Sequence, residues 1–107
     1  MANCFVLRAD LSDYARGLET VIRGINVPST QYVIETVQAL LDAGNAYKMV
    51  NPHGALDENM PDAATVFDAM NLHGMNHDLP VYMTVGDVIV WNNGKRELCL
   101  QNGWACV

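Results

Sequence analysis

The chain has 107 residues, half of them hydrophobic, and a formal net charge of −6. That length fits one domain with a real core, and the apolar content excludes a disordered chain. The acidic balance argues against direct contact with nucleic acid, whose phosphates need Lys and Arg. No apolar run approaches the ~20 residues of a membrane span. The stretch Met1 to Asp10 lacks the basic-then-apolar order of a signal peptide, so the cytoplasm is the expected compartment.

Residues 4–9 are an apolar run suited to a first strand. Leu11, Tyr14, Ala15, Leu18, Val21 and Ile22 then recur at helical spacing. They predict a helix that Asp10 or Ser12 caps, that contains Gly17 and that ends at Gly24. A second helix is expected from Ser29 or Thr30 to Ala43, with Val33, Ile34, Val37, Leu40 and Leu41 as its apolar stripe and Pro28 and Gly44 as its punctuation. Ala46–Val50 follows as a short strand. Residues 51–61, with Pro52, Gly54 and Pro61, read as an exposed loop.

A third helix over roughly 62–72 presents Ala63, Val66, Phe67 and Met70, with Asn59 or Asp62 as its cap. Asn71 to Gly74 closes it, and His73–Pro80 reads as loop. The remainder predicts a β-meander. Val81–Val85 and Val88–Trp91 are strands separated by a break or bulge at Gly86-Asp87. Asn93-Gly94 signals a two-residue type I′ hairpin turn. Arg96–Gln101 returns antiparallel, Asn102-Gly103 turns again, and Trp104–Val107 is a last strand. The expected fold is therefore α+β, a single domain with about three helices packed on a mixed or antiparallel sheet that ends in a C-terminal β-meander.

Val81-Tyr-Met-Thr-Val-Gly-Asp-Val-Ile-Val90 resembles the YodL-like small proteins of phages, plasmids and integrative elements. That family has an amphipathic segment with a phenylalanine and an asparagine, then a loop and a Ser-(Leu/Met)-Ser-Val-Gly-Asp-Val-(Val/Ile) motif. A hairpin and a closing Gly-Phe or Gly-Trp follow. The matching pieces are Val66-Phe67 through Asn71, Thr84 to Ile89, and Gly103-Trp104, so the resemblance spans about residues 62–107. Many relatives carry Arg-Ser where this chain has Val81-Tyr82, and no role of that arginine transfers. The resemblance implies an origin in a phage or mobile element, hence a host cytoplasm, and brings no catalytic residue. The motif has an architectural reading: Gly86 supplies a backbone shape closed to other residues, Asp87 accepts nearby N–H groups, and Thr84 helps cap the turn.

Candidate chemistry is sparse. His73 and His77 have a His-x3-His spacing, but neither a metalloprotease glutamate nor an obvious third ligand accompanies them, so no metal or other cofactor is expected. Asp57, Glu58 and Asp62 with His53 form an acidic loop without a catalytic order. The cysteines Cys4, Cys99 and Cys106 are odd in number and widely spaced, which predicts buried or half-buried free thiols in strands. Between Lys48 and Lys95 there is no Lys or Arg, while six Asp or Glu residues fall in that interval. Methionines and aromatics lie beside them. The first expectation is therefore a non-enzymatic protein that binds and modulates, most simply inhibits, a host protein. A host protein with a basic nucleic-acid-binding surface is the kind of partner expected. The contact residues expected are Asp57, Glu58, Asp62, Met75, His77, Asp78, Tyr82 and Trp91. A homo-oligomer is compatible with this. The alternatives are a small-ligand protein that sequesters nucleotides against host defence, and a small metal-dependent enzyme built on the two histidines.

Overall fold

The computed structural model describes residues 3–12, 14, 17–49, 59–76 and 83–107, with only the backbone of 72–76. Its elements are β1 (Cys4–Ala9), α1 (Leu18–Ile22), α2 (Thr30–Ala43), β2 (Tyr47–Met49), α3 (Ala63–Asn76), β3 (Val88–Trp91), β4 (Arg96–Leu100) and β5 (Gly103–Cys106). The strands form one sheet in the order β2-β1-β3-β4-β5, and every neighbouring pair is antiparallel. The fold is α+β, three helices on a five-stranded antiparallel sheet that closes in a β-meander. No helix among the described residues is long and apolar enough to cross a membrane.

Alternation along the strands gives the sheet two apolar faces. Cys4, Val6, Ile89 and Cys99 point to one face, where Met60, Ala63, Val66 and Met70 of α3 and its entry cover them together with Met83. Val88 and Leu98 point to the other, under Ile22 of α1 and Val33, Val37 and Leu40 of α2. Each fully buried side chain of this size contributes about 1.5–3 kcal/mol. Between them, the two layers bury Cys4, Val6, Val88, Ile89, Leu98 and Cys99 of the three central strands.

The second helix runs as its stripe predicts. Ser29 Oγ accepts the Tyr32 N–H at 3.2 Å, and Gly44 ends the helix at φ 81°. Asp62, the cap anticipated for the third helix, accepts both the N–H (2.9 Å) and the hydroxyl (2.7 Å) of Thr65. That helix continues to Asn76, through the Gly74 where it was expected to stop. One glycine costs only about 1 kcal/mol in a helix and does not by itself end one.

Several expectations need correction. The first helix covers only Leu18–Ile22. Asp10 Oδ1 accepts the Ser12 N–H and hydroxyl, which holds the chain in a local turn, and Gly17 enters at φ 99°, outside the helical region. Leu11 and Tyr14 still pack on the α2-side core. Met83 and Thr84 form no strand, and Val85-Gly86 is a turn. Val81 and Tyr82 lie outside the described residues. The Asn93-Gly94 turn is not type I′, because Asn93 keeps a negative φ and only Gly94 is positive, at 90°. Instead Gly94 N–H bonds Trp91 O at 2.9 Å and Trp91 N–H bonds Lys95 O at 2.8 Å, closing a three-residue loop with a left-handed glycine. Cys4 and Cys99 are buried free thiols, but Cys106 is exposed.

Candidate functional site

The two ends of β1 carry different structures, separated by six residues and hence ~20 Å. At the C-terminal end, Thr84–Asp87 form a turn closed by Asp87 N–H on Thr84 O (3.1 Å), with Gly86 at φ 97° in the position that needs it. Gly86 and Asp87 together stand opposite the single residue Cys99. Gly86 N–H bonds Cys99 O and Cys99 N–H bonds Asp87 O, both at 2.9 Å. This is a glycine-led bulge, as the sequence suggests.

The bulge aims a carboxylate inward. Asp87 is 1% exposed. Arg8 meets it from β1, one step beyond the last ladder pair Leu7–Val88, with Nε on Oδ1 at 3.1 Å and Nη2 on Oδ2 at 2.9 Å. Thr84 N–H adds a third bond at 2.9 Å. The pairing with Asp87 raises the Arg8 pKa. Tyr47 hydroxyl donates to Gly86 O at 2.9 Å from the opposite face, and burial raises its pKa. A cleft of about 550 Å³ opens beside this hub, lined by Arg8, Asp10, Ser12, Glu19, Thr20 and Arg23 among others. Its charges are paired: Arg8 with Asp87, Arg23 with Glu19 at 2.7 Å, and Asp10 with Lys48 at 3.0 Å.

At the N-terminal end of β1 lies a different groove, of about 520 Å³. The Asn3 side chain clamps the entry to α3, donating to Met60 O at 2.9 Å and accepting Met60 N–H at 2.8 Å. That brings Asp62 beside the β3–β4 hairpin. Trp91 and Trp104, the only tryptophans of the chain, form the floor with Glu97 and Lys95. Both indoles are half-buried. Trp91 Nε1 donates to Glu97 Oε1 at 2.9 Å, which fixes the ring, and Lys95 Nζ stands 3.5 Å from the same carboxylate. Trp104 meets Phe67 of α3 edge to face, with centroids 5.8 Å apart. Asp62 is exposed, and its bonds to the Thr65 N–H and hydroxyl hold its pKa below the ordinary value. Among the described residues it makes no salt bridge.

The groove therefore unites two of the sequence-derived contact residues, Asp62 and Trp91. Met75 lies in the last turn of α3, and its side chain falls outside the described residues. Asp57, Glu58, His77, Asp78 and Tyr82 lie outside them as well, and so does the side chain of His73, so both imidazoles of the His73/His77 pair fall outside the described residues. No group of three or more His, Cys, Asp or Glu placed to hold a metal occurs among the described residues. Trp104, Glu97, Lys95 and Asn3 complete the groove without having been anticipated as contacts. Their signal was the pair of tryptophans in a small acidic chain. The Arg8–Asp87 bond was missed too, although a lone arginine within an apolar strand marks a charge that needs a buried partner.

The residues that carry the resemblance also contact one another. Asn71 Oδ1 accepts the Met83 N–H at 3.0 Å ahead of the turn, and Phe67 meets Trp104 edge to face. No family model, curated protein or solved structure matches the chain.

Proposed function

We propose that the chain is a non-catalytic accessory protein of a phage or other mobile element, of the YodL-like kind. In this reading it acts in the host cytoplasm, where it binds and inhibits a host protein. The observation that carries the reading is the groove. It combines two rigid indoles with one exposed carboxylate that has no cationic partner among the described residues. Tryptophans supply much of the binding energy at protein interfaces, since they bury a large area at low entropic cost. The exposed Asp62 and the net charge of −6 favour a partner with a basic surface, such as the nucleic-acid channel of an enzyme. The test is capture from host lysate with the wild-type chain and with Trp91→Ser combined with Asp62→Lys. A specific partner retained by the first and lost by the second, with affinity falling as salt rises, supports the reading. Equal recovery by both, or no specific partner, overturns it.

A second reading, a nucleotide-sequestering protein, draws on the convergence of Arg8 and Arg23 on the larger cleft. Asp10, Glu19 and Asp87 line the same cleft, and they oppose a phosphate there. Thermal stabilisation by a nucleotide panel, abolished by Arg23→Ala, would favour it.

A further inference from the structure

We infer that the partner binds by adding an extended strand to the outer edge of β5, with one of its basic side chains seated in the tryptophan groove. This rests on the partner-binding reading above and specifies its geometry. Among the described residues β5 has one strand neighbour, β4. The ladder between them fixes which backbone groups remain. Val107 N–H bonds Arg96 O at 3.0 Å, so residues 103, 105 and 107 face β4. Trp104 and Cys106 therefore turn their N–H and C=O outward, in alternation, as an added strand requires.

Natural sheet edges are commonly blunted by charge, proline, a bulge or shortness. The opposite edge, β2, has three residues and carries Lys48. In contrast β5 reads Gly-Trp-Ala-Cys, with no charge, proline or bulge. Its Trp104 lies on the α3 side, in the groove floor. A strand added here lies ~4.8 Å from β5, so its side chains on that side start beside the indole. An arginine there stacks on Trp104 and carries its charge toward Asp62. The occupant is thus an extended protein segment in which a basic residue alternates with apolar ones.

The test uses the full chain and a displayed library of random linear dodecapeptides as probe. Cys99 permits ligation of a synthetic 99–107 segment to residues 1–98, so the Cys106 amide can be N-methylated with every side chain kept. That amide is outside the β4–β5 ladder, and an unchanged melting temperature verifies the fold. Asp62→Asn keeps the helix cap and removes the charge. We expect selected peptides to alternate basic and apolar residues, N-methylation to weaken them about tenfold, and Asp62→Asn to weaken the basic ones several-fold. Selection of no peptide, or binding indifferent to N-methylation, overturns the inference. So does sedimentation showing a dimer that N-methylation dissolves, because the edge then belongs to a second copy. A lysate partner whose affinity ignores N-methylation overturns strand addition and leaves the partner-binding reading standing. Peptides that behave as expected without any lysate partner overturn the host-protein reading and leave strand addition.

Discussion

Removing the Asp87 carboxylate should destabilise the protein by about 3 kcal/mol. The figure follows from its bonds. Two come from Arg8, at 3.1 and 2.9 Å, and one from Thr84 N–H at 2.9 Å. A hydrogen bond involving a charged group is worth ~1.5–3 kcal/mol. The Arg8 side chain is 39% exposed, so water replaces part of what it loses and the two guanidinium bonds together count for ~2 kcal/mol. The stranded Thr84 N–H adds ~1 kcal/mol. For a chain of this size 1 kcal/mol moves the melting temperature by about 4 °C, so Asp87→Ala should melt ~12 °C lower. Arg8→Met should cost at least as much, ~3–5 kcal/mol, because it leaves a buried carboxylate without its cation. The double variant should then cost less than the sum, by about 1.5 kcal/mol or more. Urea unfolding of the four proteins measures the cycle. Additive effects, or a loss below about 1 kcal/mol for Asp87→Ala, would refute the view that this pair is the buried anchor of the turn.

Other predictions address the same scaffold. Gly86→Ala should cost about 1–3 kcal/mol in urea unfolding, since φ is 97° and the new Cβ would lie 3.3 Å from Ile22 Cδ1. Gly94→Ala meets nothing within 4 Å and should cost only the strain of its φ of 90°, about 1 kcal/mol. Asp10, bonded to Lys48 and Ser12, should titrate at about 2 by carbon NMR, against an ordinary 3.8, and Lys48→Met should move it back up. Because the folded-state value is depressed, its contribution to stability is present above pH 4 and is lost as the pH falls through about 2. Thiol labelling of the native protein should modify Cys106 first. Cys99, pushed up to about 11 chiefly by burial, and Cys4, raised by burial, should react only on unfolding.

How far the sequence was legible depended on whether local signals agreed. The second helix combined a stripe, a serine cap and a terminal glycine, and its observed bounds follow them. The first helix also had a stripe, a candidate cap in Asp10 or Ser12 and a closing Gly24, but an internal Gly17 stood against them. Gly17 and the Asp10–Ser12 turn, both local, outweighed the stripe over half of its length. Asn93-Gly94 was correctly a turn but of the wrong kind, since the dipeptide suits both the two-residue and the three-residue loop. The length of the loop was decided by ladder pairing, with Val90 opposite Arg96. At the site, Trp91 and Asp62 stood out by type. Their meeting was hidden, because it depends on Asn3 reaching Met60, which is 57 residues away. Arg8 and Asp87 are 79 residues apart, and only the β1–β3 register brings them together.

That register links the two ends of the molecule. Side chains alternate along a strand, so a slip by one residue exchanges the two faces. With Gly86 and Asp87 sharing Cys99 as their opposite, β3 enters the sheet with Ile89 and Trp91 toward α3. Trp91 then lies across from Cys4, on the side where Glu97 receives its N–H. Shifted by one, Val90 would take that place and the indole would be driven against α2. The bulge therefore determines which side of the sheet presents Trp91, and Arg8 holds the bulge by a bond to its buried carboxylate. The Gly-Asp motif makes no contact with the groove, yet the orientation of the groove's floor depends on it. A sequence signature of this kind is therefore evidence for a shape, and the tryptophan groove lies at the other end of the strands it aligns.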